Sequence, residues 1–93
     1  MNHYNKAMKI LFFKAVWCPS CLYMRPRYLE LQEFDPSLQI EEVDFDDHPE
    51  LVQVHKIGTT LPVAIFIDET GEECGRLIGE YSRKKLRKFL EKL

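Results

Sequence analysis

The chain has 93 residues, of which 45% are hydrophobic and 30% are charged, and this composition excludes a disordered or collagen-like chain. A net charge of −2 argues against a nucleic-acid or anionic membrane partner. The longest apolar run, residues 10–13, is too short to span a membrane, and no N-terminal stretch has the pattern of a signal peptide. The 3 cysteines are too few, and odd in number, for a disulfide scaffold. Because no export signal is found, we expect a cytoplasmic protein, whose paired cysteines are catalytic or metal-binding.

The first half of the chain is predicted to hold a strand, a helix and a second strand. Residues 1–8 are interpreted as a polar leader, and residues 9–14, with four apolar residues between two lysines, as a strand buried on both faces. A helix is predicted from Pro19, because proline suits the first turn, and Pro26 is expected to kink it. Its buried positions, at helical spacing, are Cys21, Met24, Tyr28 and Leu31. Residues 38–45 are predicted to form the second strand.

The second half is predicted to hold a short helix, two strands and a final helix. The short helix covers residues 48–54, and the two strands cover residues 63–67 and 72–78 with a turn between them. Ser82 is the predicted N-cap of the final helix. The apolar face of that helix is formed by Leu86, Phe89, Leu90 and Leu93. The order β-α-β-α-β-β-α predicts a single α/β domain, residues 1–93, with a four-stranded mixed sheet.

Two cysteines stand close together in the segment Cys18-Pro19-Ser20-Cys21, between the first strand and the first helix. A sulfur at a helix N-terminus lies near the positive end of the dipole and near unpaired N–H groups, which favour the thiolate. Cys18 is therefore the candidate nucleophile. Cys21, one turn into the helix on its apolar face, is the candidate resolving thiol and the less exposed of the two. The pair in a βαβ context indicates thiol–disulfide chemistry.

A zinc site is the alternative for the two cysteines, but zinc needs two further ligands. The other candidate ligands are Cys74, His3, His48 and His55, and no two of them have ligand spacing. We therefore expect no metal. Cys74 lies in a predicted strand and is interpreted as a small core or surface residue, with a third redox role as the open alternative.

The chain resembles the thioredoxin superfamily from residue 9 to residue 93. Trp17-Cys18-x-x-Cys21 is similar to the thioredoxin motif, and Pro26 matches the kinking proline that follows it. Thr60-Leu61-Pro62 resembles the family's cis-proline loop, and residues 78–82 resemble its last strand and the glycine after it. The resemblance implies a minimal thioredoxin fold and a protein-disulfide reductase that binds no cofactor and cycles through a Cys18–Cys21 disulfide. It also implies disulfide-containing protein substrates and a thioredoxin-reductase-like donor that uses flavin and NADPH. We expect a monomer with no nucleic-acid or membrane partner.

The resemblance further implies a substrate surface around the dithiol. The ring of Pro62, in a cis peptide bond, would face the cysteines, and the backbone of Leu61 would pair with an extended substrate segment. Trp17 would form a ledge beside the sulfurs. Gly79 would let a partner backbone approach closely, or it would be an ordinary turn glycine.

The dipeptide between the cysteines departs from the family pattern. Thioredoxins normally carry Gly-Pro there, whereas Pro19 and Ser20 occupy these places at the predicted substrate surface. The Ser20 hydroxyl is predicted either to donate to Cys18 or to face solvent. We predict a reduction potential between about −270 mV and about −200 mV, the values for thioredoxin and for glutaredoxins.

A second departure concerns proton transfer. Thioredoxins have a buried acid six residues before the first cysteine, where this chain has Phe12, and Glu42 occupies the position of the lysine that usually neighbours it. We hypothesise that Glu42, partly buried with a raised pKa, is the general base for Cys21. The alternative is that Glu42 belongs to an acidic surface run.

Three other functions are open. A glutaredoxin-like enzyme would use glutathione, but Glu80 and Arg83 replace the glycine and aspartate of that family's site, so we expect weak glutathione binding. A thiol oxidase or isomerase is disfavoured by the absence of an export signal. A non-enzymatic docking module would use the final helix, since residues 83–92 carry six bases while residues 41–50 carry six acids.

The chain is also short for the family it resembles. Only 17 residues precede Cys18, whereas thioredoxins usually place a strand and a helix there. We therefore expect a minimal but complete domain without this unit, in which one edge of the sheet is less covered and open to pairing.

Overall fold

The computed structural model describes residues 7–93 of the chain. Its elements are β1 (Ala7–Lys14), α1 (Pro19–Phe34), β2 (Gln39–Asp44), α2 (Pro49–Val54), β3 (Val63–Asp68), β4 (Glu73–Ile78) and α3 (Arg83–Lys92). The predicted order β-α-β-α-β-β-α is confirmed. Because β1 begins at Ala7, residues 7 and 8 belong to the sheet and not to a polar leader, and the remainder of that predicted leader lies outside the described residues.

The four strands form one mixed sheet in the order β2-β1-β3-β4. β1 is parallel to β2 and antiparallel to β3, and β3 and β4 form an antiparallel hairpin. β1 is therefore a central strand, and its C-terminal end lies between the end of β2 and the start of β3. Among residues 7–93 no strand pairs with the outer edge of β2.

Side chains from the two faces of the sheet build two hydrophobic clusters, because successive residues of a strand point to opposite sides. Phe12 belongs to the cluster under α1 and α3, where its ring centroid lies 5.1 Å from that of Tyr28. Phe13 belongs to the other cluster, which also contains Cys18, Cys21 and Leu61. The buried positions of α1 are the four that helical spacing predicts, Cys21, Met24, Tyr28 and Leu31.

The helices are short, and α1 is the longest of those described, with 16 residues. It continues for about two turns beyond Pro26, although proline cannot donate the hydrogen bond that a helix residue normally makes. α3 begins after Ser82, whose side chain accepts a hydrogen bond from the N–H of Lys85, as predicted for an N-cap. Within residues 7–93, no helix has the length and apolar character needed to cross a membrane.

Candidate active site

The dithiol segment joins the end of β1 to the start of α1. Cys18 is the N-cap of α1, and its sulfur accepts a hydrogen bond from the backbone N–H of Cys21, with an N···S distance of 3.2 Å. Pro19 takes the first helical position, where a missing N–H costs nothing. The Cys18 sulfur therefore lies at a helix N-terminus with a donor in place to stabilise its thiolate when that forms.

The two cysteines differ in their electrostatic surroundings although both are buried, with exposed fractions of 6% for Cys18 and 3% for Cys21. Burial raises the pKa of Cys21 to about 12, and a side-chain hydrogen bond with Cys18 adds to this effect. A hydrogen bond with the backbone of Ala15 and, to a smaller extent, the ammonium of Lys14 act in the opposite direction and lower the pKa of Cys21. At neutral pH Cys21 is therefore a protonated thiol, held directly behind the Cys18 sulfur.

The loop before β3 and the loop after β4 meet beside this pair. The Leu61–Pro62 peptide bond is cis, and Leu61 packs in the same cluster as the cysteines. The Pro62 carbonyl accepts a hydrogen bond of 2.9 Å from the N–H of Gly79, whereas no hydrogen bond within residues 7–93 uses the backbone of Leu61. Gly79 has a φ of +92°, and a Cβ built there meets no atom within 4 Å. The Gly79 position is thus open in space but strained for any other residue.

Trp17 forms an exposed ring next to the dithiol, with 57% of its surface accessible. Its indole N–H donates to Asp46 at 2.7 Å, and its ring packs edge-on against Phe45, with centroids 6.3 Å apart. Both partners follow β2, so the strand parallel to β1 holds this ring in place. Val16 and Ile78 are also exposed apolar residues, and together with Trp17 they give the dithiol end of the sheet an apolar surface.

The Ser20 hydroxyl has a partner that the sequence did not predict. It donates to Glu80 with an O···O distance of 2.6 Å at the exposed surface, and not to Cys18, which was one of the two predicted positions. Ser20 lies in the first turn of α1 and Glu80 follows Gly79 after β4, so the contact joins segments 60 residues apart in sequence. No local pattern signals a contact of this range.

The surroundings of Glu42 do not raise its pKa as predicted. Its carboxylate accepts hydrogen bonds of 2.8 and 2.9 Å from Arg25 and lies 4.0 Å from the ammonium of Lys14. The hydrogen bonds from Arg25 lower the pKa of Glu42, and they outweigh partial burial, which would raise it. The prediction of a raised pKa is therefore wrong, because the sequence did not reveal that α1 places a guanidinium against this strand.

The remaining candidate metal ligands are dispersed. His48 lies near the backbone carbonyl of Asp44, at 3.3 Å, and the ring of His55 packs edge-on against Phe13. Cys74 is half-buried and its thiol donates to the carbonyl of Phe66 at 3.3 Å. In the described part of the chain no group of three or more His, Cys, Asp or Glu side chains could hold a metal ion, and His3 lies outside it.

A family model described as Thioredoxin matches residues 2–92. The chain belongs to the thioredoxin family. Thioredoxin H5 from Oryza sativa subsp. japonica is 36% identical to it over 70 residues, which are 75% of this chain and 50% of that protein. Thioredoxin H7 from Arabidopsis thaliana is 32% identical over 79 residues, 85% of this chain and 59% of that protein. The match thus spans 50% to 59% of the length of these curated relatives.

Solved thioredoxin structures have the same architecture. Thioredoxin from Fasciola hepatica superposes with a TM-score of 0.79 at 28% identity, covering 95% of this chain and 83% of that one. Mitochondrial thioredoxin 3 from Saccharomyces cerevisiae, in its oxidised form, gives a TM-score of 0.80 at 24% identity, covering 95% of this chain and 80% of that one. The predicted thioredoxin fold with a four-stranded mixed sheet is therefore confirmed.

Proposed function

We propose that this protein is a thioredoxin-like protein-disulfide reductase. The observation that carries the proposal is the placement of the Cys18 sulfur at the N-terminus of α1, 3.2 Å from the N–H of Cys21. Membership of the thioredoxin family supports the same chemistry. No bound cofactor is needed, because the Cys18–Cys21 pair itself carries two electrons by alternating between dithiol and disulfide.

In the first step, the Cys18 thiolate attacks one sulfur of the substrate disulfide. A mixed disulfide forms between Cys18 and the substrate while the substrate S–S bond breaks, and the leaving sulfur departs as a thiolate that takes up a proton. The unpaired backbone of Leu61 is available to an extended substrate segment, as in strand addition, beside Pro62. Trp17 supplies apolar contact, and the open space at Gly79 admits the substrate backbone.

In the second step, Cys21 resolves the mixed disulfide. Its thiol loses a proton, and the resulting thiolate attacks the Cys18 sulfur, so that the Cys18–Cys21 disulfide forms and the second substrate sulfur leaves and is protonated. The substrate has then gained two electrons and two protons. Because burial raises the pKa of Cys21 to about 12, loss of its proton is the demanding part of this step, and the charge of Lys14 eases it.

The oxidised pair must be reduced again by a donor. We propose a thioredoxin-reductase-like flavoenzyme that uses NADPH in this role, with disulfide-containing proteins as the substrates. Glutathione is the disfavoured donor, because the carboxylate of Glu80 is held beside the dithiol by Ser20 and repels the carboxylates of that tripeptide.

Insulin-disulfide reduction tests the proposal. The wild-type protein should reduce insulin with dithiothreitol as donor, Cys18→Ser should abolish the activity, and Cys21→Ser should accumulate the mixed disulfide. Thioredoxin reductase with NADPH should replace dithiothreitol, and glutathione should do so poorly. Equal insulin reduction by wild type and Cys18→Ser would show that the dithiol is not the reacting group.

A further inference from the structure

A carboxylate that the reaction steps do not use stands next to the dithiol. Glu80 accepts a hydrogen bond of 2.6 Å from Ser20, the residue that immediately precedes the resolving cysteine. The loop that carries Glu80 is also anchored by the N–H of Gly79, which donates to the carbonyl of Pro62 at 2.9 Å. The position of Glu80 is thus fixed by two contacts, one with the helix that carries the cysteines and one between the neighbouring Gly79 and the cis-proline loop.

The carboxylate of Glu80 forms no ion pair within the described part of the chain. Its one hydrogen bond among residues 7–93 comes from the neutral hydroxyl of Ser20. Three cations line the same groove. Arg83 pairs with Glu30 at 2.7 Å and Arg27 donates to Tyr23, whereas Lys84 lines the groove without forming an ion pair with Glu80 among the described residues. Glu80 is exposed, so its charge faces an approaching substrate.

A second exposed carboxylate lies on the opposite side of the dithiol. Asp46 follows β2 and accepts a hydrogen bond from Trp17, whereas Glu80 follows β4. β2 and β4 are the two edges of the described sheet, and the central strand β1 leads into the cysteines between them. A substrate that reaches Cys18 therefore passes between two negative charges, which attract basic side chains and repel acidic ones.

We propose that Glu80 makes the protein select disulfides that have lysine or arginine beside them in sequence. This inference rests on the proposed reductase function. A substrate whose sulfur reaches Cys18 brings the residues next to its disulfide close to Ser20, and hence close to Glu80. Because the carboxylate is exposed, it acts on the encounter rate through partly screened attraction, and the preference weakens as salt is added.

Peptide disulfides of matched length test this selection. Three peptides carry the same disulfide flanked by lysine, by glutamate or by serine. The reduced protein is mixed with each peptide in stopped flow. The reaction is followed by the fluorescence of Trp17, the single tryptophan of the chain. Wild type should react faster with the lysine peptide than with the glutamate peptide. Glu80→Gln should lower this ratio by about threefold, the size of one exposed charge pair. In about 1 M salt, where the Debye length is about 3 Å, the ratio should approach one.

Two further variants separate the position of Glu80 from overall charge. Glu69→Gln removes an exposed acid in the turn between β3 and β4, at the other end of the hairpin, and should keep the wild-type ratio. Ser20→Ala keeps the charge of Glu80 but releases it, and should lower the ratio in part. Wild-type rates that are equal for the two charged peptides would overturn the selection while reductase function stands. A ratio that Glu80→Gln leaves unchanged, or that Glu69→Gln lowers as much as Glu80→Gln does, would overturn it as well. Failure to reduce any peptide would overturn the reductase function itself.

Discussion

The guanidinium of Arg25 donates two hydrogen bonds to the carboxylate of Glu42, at 2.8 and 2.9 Å. Arg25 lies on α1 and Glu42 on β2, so the pair ties the helix that carries the cysteines to an edge strand of the described sheet. The ammonium of Lys14 lies 4.0 Å from the same carboxylate. These cations stabilise the ionised carboxylate and lower the pKa of Glu42, which makes it a weaker base for taking a proton from a thiol.

Glu42→Gln should therefore reduce stability and not activity. The pair is partly exposed, so its loss should cost about 0.5–1 kcal/mol of unfolding free energy, measured by urea denaturation. The folded-state pKa of Glu42 lies below its ordinary value of 4.5, so the carboxylate contributes stability above that pH and loses it as pH falls through the folded pKa. The difference between variant and wild type should vanish in acid. A large fall in insulin reduction with unchanged stability would restore Glu42 as the base.

Resolution by Cys21 should accelerate with pH. For a thiol whose pKa is raised to about 12, the thiolate fraction rises about tenfold per pH unit throughout the neutral range. With 5,5′-dithiobis(2-nitrobenzoate) as substrate, attack by Cys18 releases a first coloured thiolate and resolution by Cys21 releases a second. The second phase should show the pH dependence. A second phase independent of pH would contradict a buried, protonated Cys21.

Lys14→Gln should slow that second phase at each pH, because it removes the cation that lowers the pKa of Cys21. Lys14→Arg keeps the charge and should retain the rate, which distinguishes an electrostatic role from a packing role. Glu42→Gln, which removes the neighbouring carboxylate but leaves the cation, serves as the matched control. Equal rates for Lys14→Gln and Lys14→Arg would show that the charge at this position does not act on Cys21.

The parts of the structure that sequence could predict are those encoded within one element. The spacing of Met24, Tyr28 and Leu31 follows the helical period, so the buried face of α1 could be predicted. The contact between Ser20 and Glu80 could not, because it depends on how β4 ends relative to α1. A serine has only one short hydroxyl, and the local sequence indicates no partner for it beyond Cys18 and water.

The same reason explains the wrong environment predicted for Glu42. Its place opposite Phe12 follows from the parallel register of β1 and β2, and the resemblance to the family already indicates it. Its partner Arg25 comes from α1, which packs over the sheet at an angle that no periodicity fixes. Register within a sheet is a property of strand patterns, whereas the side chain that a helix places over a strand is set by packing of the whole domain.

Gly79→Ala should destabilise the fold through backbone strain alone. The residue has a φ of +92°, which an alanine adopts only at a cost, although a Cβ there meets no atom within 4 Å. The expected loss is about 1 kcal/mol in urea denaturation. Gly58→Ala is the matched control, since a Cβ at Gly58 also meets no atom within 4 Å and no positive φ is required there. Equal effects of the two substitutions would contradict the strain argument.

Phe12→Asp places an acid where thioredoxins have a buried one, but we expect that it will not create a functional proton-transfer group. Phe12 is 1% exposed and packs against Tyr28, so losing its ring should cost about 3–5 kcal/mol, and a buried carboxylate adds to that cost. Lys14 and Arg25 already face Glu42, the register partner of Phe12. Phe12→Leu, which keeps an apolar side chain, should cost about 1 kcal/mol of unfolding free energy and keep the rate of Cys21 resolution. Phe34→Asp is the exposed control, at a residue 49% exposed, and should change stability by about 0.5 kcal/mol or less. Wild-type stability in Phe12→Asp, measured by urea denaturation, would show that a cation or water reaches this position in the folded protein.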